Sequence, residues 1–290
     1  LVVVGTPIGN LGDLSPRALL ALEGADVILC EDTRRTRALL SHAGVKGKSL
    51  VSLEAHREET GIPSVLRLLE SGKRLVMVSD AGMPGISDPG TRTVAAAIEA
   101  GYALDVVPGP NAAVAALVLS GFDTSRFCFE GFLPRSGAER RRRLYDIARQ
   151  ARTVVIYESP FRLAGTLEEL AGLCGAERRV VVAREMTKVF QEVWRGSLAE
   201  AVSWAAEKKH RGEVVVVLEG SRARADRSAG QSFSEGLEEA LTHELETALS
   251  GGVGVRNAAK EAARRLGVPA RHAYERALEL IRESGKYREP

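Results

Sequence analysis

The 290-residue chain has little cysteine, few aromatic residues and no long apolar run. Its three cysteines, Cys30, Cys128 and Cys174, are far apart and odd in number. That excludes a disulfide framework and a clustered metal site, so no metal is expected. They read as core-packing thiols in a reducing setting, with the cytoplasm as the expected compartment. No stretch approaches the ~18 apolar residues of a membrane span. The opening Leu1-Val2-Val3-Val4 reads directly as a strand, with no signal peptide visible. An excess of one charge is also missing. The formal net charge is +2, so affinity for a polyanion has to come from local patches.

What is present is a globular composition, 44% hydrophobic and 27% charged, at a length that suits two domains. The organising stretch is residues 74–90. Leu75 to Val78 is a short apolar run that predicts a buried strand. Ser79-Asp80-Ala81-Gly82-Met83-Pro84-Gly85 and Ser87-Asp88-Pro89-Gly90 follow, too rich in glycine and proline for helix or strand. An Ala-rich helix resumes at Thr91. In open α/β sheets ligands sit at such strand ends. Glycines admit a ligand to the backbone, and Asp80 and Asp88 supply polar handles.

The same alternation recurs along residues 1–122. Leu1–Val4 leads into Gly5-Thr6-Pro7-Ile8-Gly9-Asn10-Leu11-Gly12-Asp13, whose glycine spacing fits neither a Rossmann fingerprint nor a P-loop. Ser15-Pro16 predicts a helix start. Val27–Cys30 ends in Glu31-Asp32-Thr33-Arg34, Leu50–Leu53 precedes His56, and Pro63–Ser71 reads as helix. Leu104–Val107 is broken by Pro108-Gly109-Pro110-Asn111, and Ala112–Leu119 reads as a small-residue helix capped by Gly121. Strand–helix alternation predicts a parallel-rich sheet with helices on its faces.

Residues 123–220 predict a second α/β domain with a mixed sheet, since strands pair closely around Arg184-Glu185-Met186-Thr187-Lys188 and Val189–Arg195 reads as a strand. Its first helix is strongly basic: Arg135, Arg140, Arg141, Arg142, Arg143, Arg149 and Arg152 face only Glu139 and Asp146. A charge run is usually a solvated face, but so little opposing acid suits phosphate contact. Residues 221–234 read as a linker. Residues 235–290 read as a helical extension of helix-turn-helix proportions, with nine Lys or Arg against five Glu from 252 onward.

Eight motifs in one order carry a family likeness. They are 5–13, 30–34, 79–84, 87–90, 108–110, 131–135, Tyr157-Glu158-Ser159-Pro160 and 183–188. Together they resemble the tetrapyrrole methylase superfamily, in its branch acting on ribosomal RNA. The resemblance implies two α/β domains plus a C-terminal helical extension, S-adenosylmethionine held in the cleft between the two, and a homodimer. The implied reaction is 2′-O-methylation of a cytidine in the decoding region of 16S rRNA, within the 30S subunit. By resemblance Ile8, Asp80, Gly82, Met83, Pro110, Asn111 and Ala112 lie at cofactor positions, with Tyr157 and Arg184 as walls. Met83 and Asn111 stand where Thr and Ser are common in relatives.

Methyl transfer to a ribose hydroxyl needs alignment, exclusion of water and a proton acceptor. Candidates at strand ends are Asn10, Asp32, His56, Asp88, Glu185 and Lys188. Lys188 and Glu185 are expected near the reacting hydroxyl, with Asn10 and Asp88 positioning it. Glu185 with Lys188, and Arg34 with Glu31, also suit plain ion pairs. Arg34, Arg135, Arg140, Arg141, Arg142 and Arg143 are the expected RNA contacts. Two other readings compete. A small-molecule C-methylase of the tetrapyrrole type has little use for the arginines. A non-enzymatic RNA-binding protein leaves the glycine- and proline-rich loops unexplained.

Overall fold

The computed structural model describes residues 1–53, 58–207, 210–221 and 230–284. The first domain carries β1 (Val2–Val4), β2 (Val27–Cys30), β3 (Ser49–Ser52), β4 (Leu75–Met77) and β5 (Asp105–Val107). All pair in parallel, in the order β3-β2-β4-β1-β5. Alternate strand residues sort onto two faces. Ile28, Cys30, Val76 and Val4 meet Ala18 and Leu22 of α1 (Pro16–Gly24) and Leu40 of α2 (Thr33–His42). Leu29, Leu75 and Met77 meet Val65 and Leu69 of α3 (Glu58–Glu70) and Ala97 of α4 (Thr91–Glu99). Because β4, β1 and β5 are neighbours, the loops after them lie side by side at one edge.

Ser15 caps α1 as its spacing predicts, accepting from the Ala18 amide at 3.1 Å. Helix α3 begins at Glu58, earlier than the Pro63 start read from the sequence. The cause is tertiary: buried Glu58 accepts from the Thr93 amide and hydroxyl at 2.8 and 3.0 Å, tying α3 to α4. His56 lies outside the described residues.

The second sheet is mixed, in the order β6-β7-β10-β8-β9. Its strands are β6 (Phe127–Phe132), β7 (Thr153–Glu158), β8 (Arg179–Arg184), β9 (Glu192–Ser197) and β10 (Val214–Leu218). Only β6 and β7 run parallel. Strand β9 starts three residues later than the sequence suggests. Glu185 and Thr187 take left-handed backbone angles, φ 50° and 65°, and the tight turn they make absorbs Val189 and Phe190.

One face of this sheet is covered by α6 (Gly137–Ala148), α7 (Leu163–Cys174) and α8 (Leu198–Glu207). The other face packs on α5 (Ala112–Ser120) of the first domain: Ala113, Ala116 and Leu117 meet Val155, Val181, Val215 and Val217. A helix pressed on a sheet wants small residues and few polar ones, which is why α5 reads Ala-Ala-Val-Ala-Ala-Leu-Val-Leu-Ser. Helix α5 thereby bolts the two domains together and fixes the cleft between them.

The tail is a three-helix unit, α9 (Gly230–Ser250), α10 (Val255–Leu266) and α11 (Ala270–Ser284), with its own Leu/Ala core. Helix α9 begins inside the segment read as linker, of which 222–229 lie outside the described residues. The α10–α11 turn faces α6, and Leu266, Val268 and His272 share a crevice with Arg142, Tyr145 and Arg149. Among the described residues no helix is long and apolar enough to cross a membrane, and the three cysteines are free.

Two of the expected RNA contacts are turned inward. The Arg140 side chain is 8% exposed and paired with Glu169. It also donates to Thr166 Oγ1 at 2.9 Å and to the Pro134 carbonyl at 3.0 Å. Arg143 pairs with Glu130 at 2.6 Å. Both lie on the face of α6 that carries Leu144 and Ile147, whereas Arg135, Arg141 and Arg142 are exposed. Arg140→Ala should therefore cost about 2 kcal/mol of stability, because it removes a buried side chain with its hydrogen bonds to Thr166 and the Pro134 carbonyl. Arg141→Ala and Arg142→Ala should leave the melting temperature unchanged and flatten the salt dependence of RNA binding. Thermal melts beside a binding series in salt separate the two classes. An Arg140→Ala protein that melts like the parent refutes the structural role.

Candidate active site

At the edge where the loops after β1, β4 and β5 meet the second sheet, a cavity of about 350 Å³ opens between the domains. Three first-domain segments line it: Ile8; Ala81, Gly82, Met83, Ile86, Ser87 and Asp88; then Asn111 and Ala112. The second sheet adds Phe132, Tyr157 to Pro160, and Gly212 to Val215.

Backbone pairing holds the loops in place. Thr6 and Gly82 exchange two hydrogen bonds, 2.9 and 3.1 Å, and the Gly5 amide donates to Val107 at 3.0 Å. The Thr6 hydroxyl donates to the Ser79 carbonyl at 3.2 Å. Gly5 and Gly109 touch backbone to backbone: a Cβ on Gly109 would lie 2.7 Å from Gly5 Cα. Asn111 caps α5 by accepting from the Val114 amide at 3.1 Å, and the Tyr157 hydroxyl accepts from the Ala113 amide at 3.2 Å. Ring contacts of Phe129 and Phe132 with Tyr157, at 5.0 and 5.6 Å between centroids, fix that wall.

Three carboxylates line the cavity, and they differ in state. Glu158 accepts from Arg162 Nε at 2.7 Å and Thr166 Oγ1 at 2.6 Å, a sealed structural pair. Glu213 holds Lys188 at 3.1 Å. Asp88 has no cation partner among the described residues. Burial first, then the negative charge of Glu31, push its carboxyl up to about 6, against the pull of the Ser79 hydroxyl. Burial also raises the Tyr157 phenol.

Of the residues expected from the sequence, Ile8, Gly82, Met83, Asn111, Ala112, Tyr157 and Asp88 share this wall. Asp80 does not. Its Oδ1 accepts from the Asp32 amide at 3.0 Å and its Oδ2 faces Arg35 at 3.5 Å, so it ties the β4 loop to the start of α2. Pro110 backs Gly82 with its carbonyl rather than facing the cavity. Arg184 is spent on Glu192 at 2.8 Å and the Arg211 carbonyl at 3.0 Å. Arg34 pairs with Asp32 at 2.9 Å, not with Glu31, and holds that acid at about 2 through its side chain and backbone amide.

Asn10, Glu185 and Lys188 do come together, at the rim rather than on the wall. The Asn10 amide donates to Thr187 Oγ1 at 3.1 Å, and Lys188 reaches Glu185 at 2.9 Å. Partial burial alone would lower the Lys188 ammonium, but Glu185 and Glu213 outweigh it and hold it above its usual value. The two carboxylates thus favour the charged form of Lys188. Sequence reading missed Glu213 and Phe132. Glu213 is a lone acid before an apolar strand, and only its long-range pair with Lys188 marks it.

This two-sheet fold, with one cavity where strand-end loops face a second sheet, defines the class. The profile of Tetrapyrrole (Corrin/Porphyrin) Methylases matches residues 1–202, and the chain belongs to that family. Within it, the chain is similar to proteins named Ribosomal RNA small subunit methyltransferase I. The Thermotoga maritima protein is 48% identical over 220 residues, 76% of this chain and 98% of the relative. The Synechocystis protein is 40% identical over 280 residues, 97% of this chain and 98% of the relative. The Mycobacterium tuberculosis protein is 41% identical over 292 residues, 100% and 98%. In fold the chain resembles a cobalt precorrin-4 methyltransferase, with TM-score 0.58 and 17% identity over 75% of this chain and 94% of that one. It also resembles a uroporphyrin-III C-methyltransferase from Thermus thermophilus complexed with S-adenosyl homocysteine, with TM-score 0.55 and 18% identity over 75% and 95%.

Proposed function

We propose that the chain methylates the 2′-hydroxyl of a cytidine ribose in the decoding region of 16S rRNA, with S-adenosylmethionine as donor. The observation that carries this reading is the inter-domain cavity with one unpaired carboxylate, Asp88, on its wall. The names of the relatives supply the substrate class. The residues present fit the donor. A volume of about 350 Å³ suits a ligand of that size. Ile8, Met83, Ala112 and Val215 offer apolar surface to a flat adenine. Asn111, Ser87 and the backbone at Gly82, where no Cβ intervenes, offer polar contact. When bound, S-adenosylmethionine supplies an electrophilic methyl group on a positively charged sulfur.

The chain's own residues do the rest. Asp88 accepts the proton of the ribose hydroxyl. Glu213 and Lys188 hold the β8–β9 turn against the Gly9–Asn10 loop, closing the rim and orienting the ribose. Exposed Arg135, Arg141 and Arg142 draw in phosphates, with Arg34 at the α2 end of the cleft. The chain acts as a homodimer on the 30S subunit. The tail sits outside the transfer chemistry. The Thermotoga relative is matched over 98% of its length by 220 residues, too few for both α/β domains and the tail.

Calorimetry with S-adenosylmethionine tests the reading. One site per chain is expected, weakened by at least tenfold when Ala112→Phe fills the cavity. No measurable binding to the unsubstituted protein would end it.

A further inference from the structure

The cavity mouth carries an aromatic residue that the fold does not use. Phe161, one residue beyond the wall residue Pro160, is 93% exposed. Phe132, on the same side of the cavity, is 54% exposed. An exposed phenylalanine on a loose loop would be unremarkable, but this loop is pinned. The Ser159 amide donates to Glu158 Oε1 at 2.7 Å, and the Phe161 amide faces Ser159 Oγ at 3.4 Å. Arg162 is clamped between Glu158 and the Leu133 carbonyl, which it reaches at 3.1 and 3.2 Å. Partly buried hydrogen bonds thus hold an apolar ring out in water, and a local rule broken this way points to a partner.

The setting identifies the partner's chemistry. Phe132 lies just ahead of the exposed Arg135, and Arg162, next to Phe161, is tied to the Leu133 carbonyl, so both rings adjoin the segment that leads into α6 and its exposed Arg141. Aromatic faces beside cations, next to a reaction cavity, match single-stranded nucleic acid: unstacked bases lie on the rings while arginines follow the backbone. A second copy of the chain fits this patch poorly, since a two-fold contact would set its arginines against themselves. A ribose 2′-hydroxyl also cannot enter a cavity between two sheets while its base stays stacked in a helix.

We propose that Phe161, with Phe132 beside it, forms a stacking platform for an unstacked base of the substrate RNA at the cavity mouth. This rests on the RNA reading above. The platform sets the position of the nucleotide and contributes affinity for RNA, not for the donor.

The test is a KM-against-kcat comparison on 30S subunits with Phe161→Ala, Phe161→Leu and Phe161→Trp. Phe161 lies off the cavity wall, so donor binding by calorimetry is expected to stay at the parent value in all three. Phe161→Ala and Phe161→Leu should each raise KM for the RNA substrate by about tenfold or more with kcat changed less, and Phe161→Trp should restore it. The Trp variant's emission should fall when a short cytidine-containing RNA is added. The proposal is overturned if Leu restores KM as well as Trp does, or if all variants match the parent. It is overturned equally if Phe161→Ala acts by splitting a dimer in light scattering. An unsubstituted protein inactive on any RNA would instead overturn the functional reading.

Discussion

Asp88→Asn lowers methyl transfer by about 10²–10³-fold while leaving S-adenosylmethionine affinity within a fewfold of the parent. Asparagine keeps the shape and removes the proton acceptor. No other wall group can take over: Glu158 is locked to Arg162 and Thr166, and Glu213 is held by Lys188. The carboxyl sits at about 6, and the base works only when ionised. In the parent, kcat/KM should therefore be flat above about pH 7 and fall tenfold per unit well below 6. That limb should vanish from the residual activity of the variant.

The same shift has an opposite consequence for stability. The folded chain holds the Asp88 proton more tightly than the unfolded chain does, with the carboxyl raised from its usual 3.8 to about 6. The site therefore destabilises the fold progressively as pH rises between those values, and fully above them. Discounted for partial exposure, Asp88→Asn should stabilise by about 1 kcal/mol at pH 8 and by nothing near pH 3.5. Melts at both values beside the rate profile decide it. A variant with parental activity removes Asp88 from the chemistry.

Gly109→Ala disables the proposed donor site from beneath. The added Cβ would meet Gly5 Cα and carbonyl carbon at 2.7 Å and its oxygen at 2.8 Å, all of them backbone. No side chain can swing aside, so the β1 and β5 loops must part. Those loops carry Ile8 on one side and Asn111 and Ala112 on the other, all on the cavity wall. Stability should drop by about 3 kcal/mol, and donor affinity by at least thirtyfold. Gly24→Ala, at the end of α1 with nothing within 4 Å of its Cβ, is the matched control and should melt at or above the parent temperature. Denaturant unfolding and calorimetry read both, and normal donor binding by Gly109→Ala would refute the loop contact as a determinant of the site.

Much of this was legible in the sequence, for identifiable reasons. Parallel strands buried on both faces read as apolar runs, so Val27–Cys30 and Leu75–Met77 announce themselves. The small, apolar residues of α5 likewise signal a helix that packs close on a sheet. The direction of Arg140 was also readable: it stands four and seven residues before Leu144 and Ile147, on the buried stripe of α6. What was not legible depends on contacts far apart in the chain. Asp80 and Asp88 are equivalent in sequence, and it is the Asp32 amide, 48 residues from Asp80, together with Arg35, that takes one of them off the cavity wall. Lys188 has its local partner Glu185 and a second one, Glu213, from just before β10, and no local pattern encodes that second pair.

The most direct test is to locate the methyl. Reconstituted 30S subunits lacking the modification are incubated with the protein and isotopically labelled S-adenosylmethionine, and the 16S rRNA is digested for mass spectrometry. One label per rRNA is expected, on a cytidine ribose, with the adjacent linkage resistant to alkali because its 2′-oxygen is blocked. Label on a base, or in a porphyrinoid offered in place of RNA, would contradict the account.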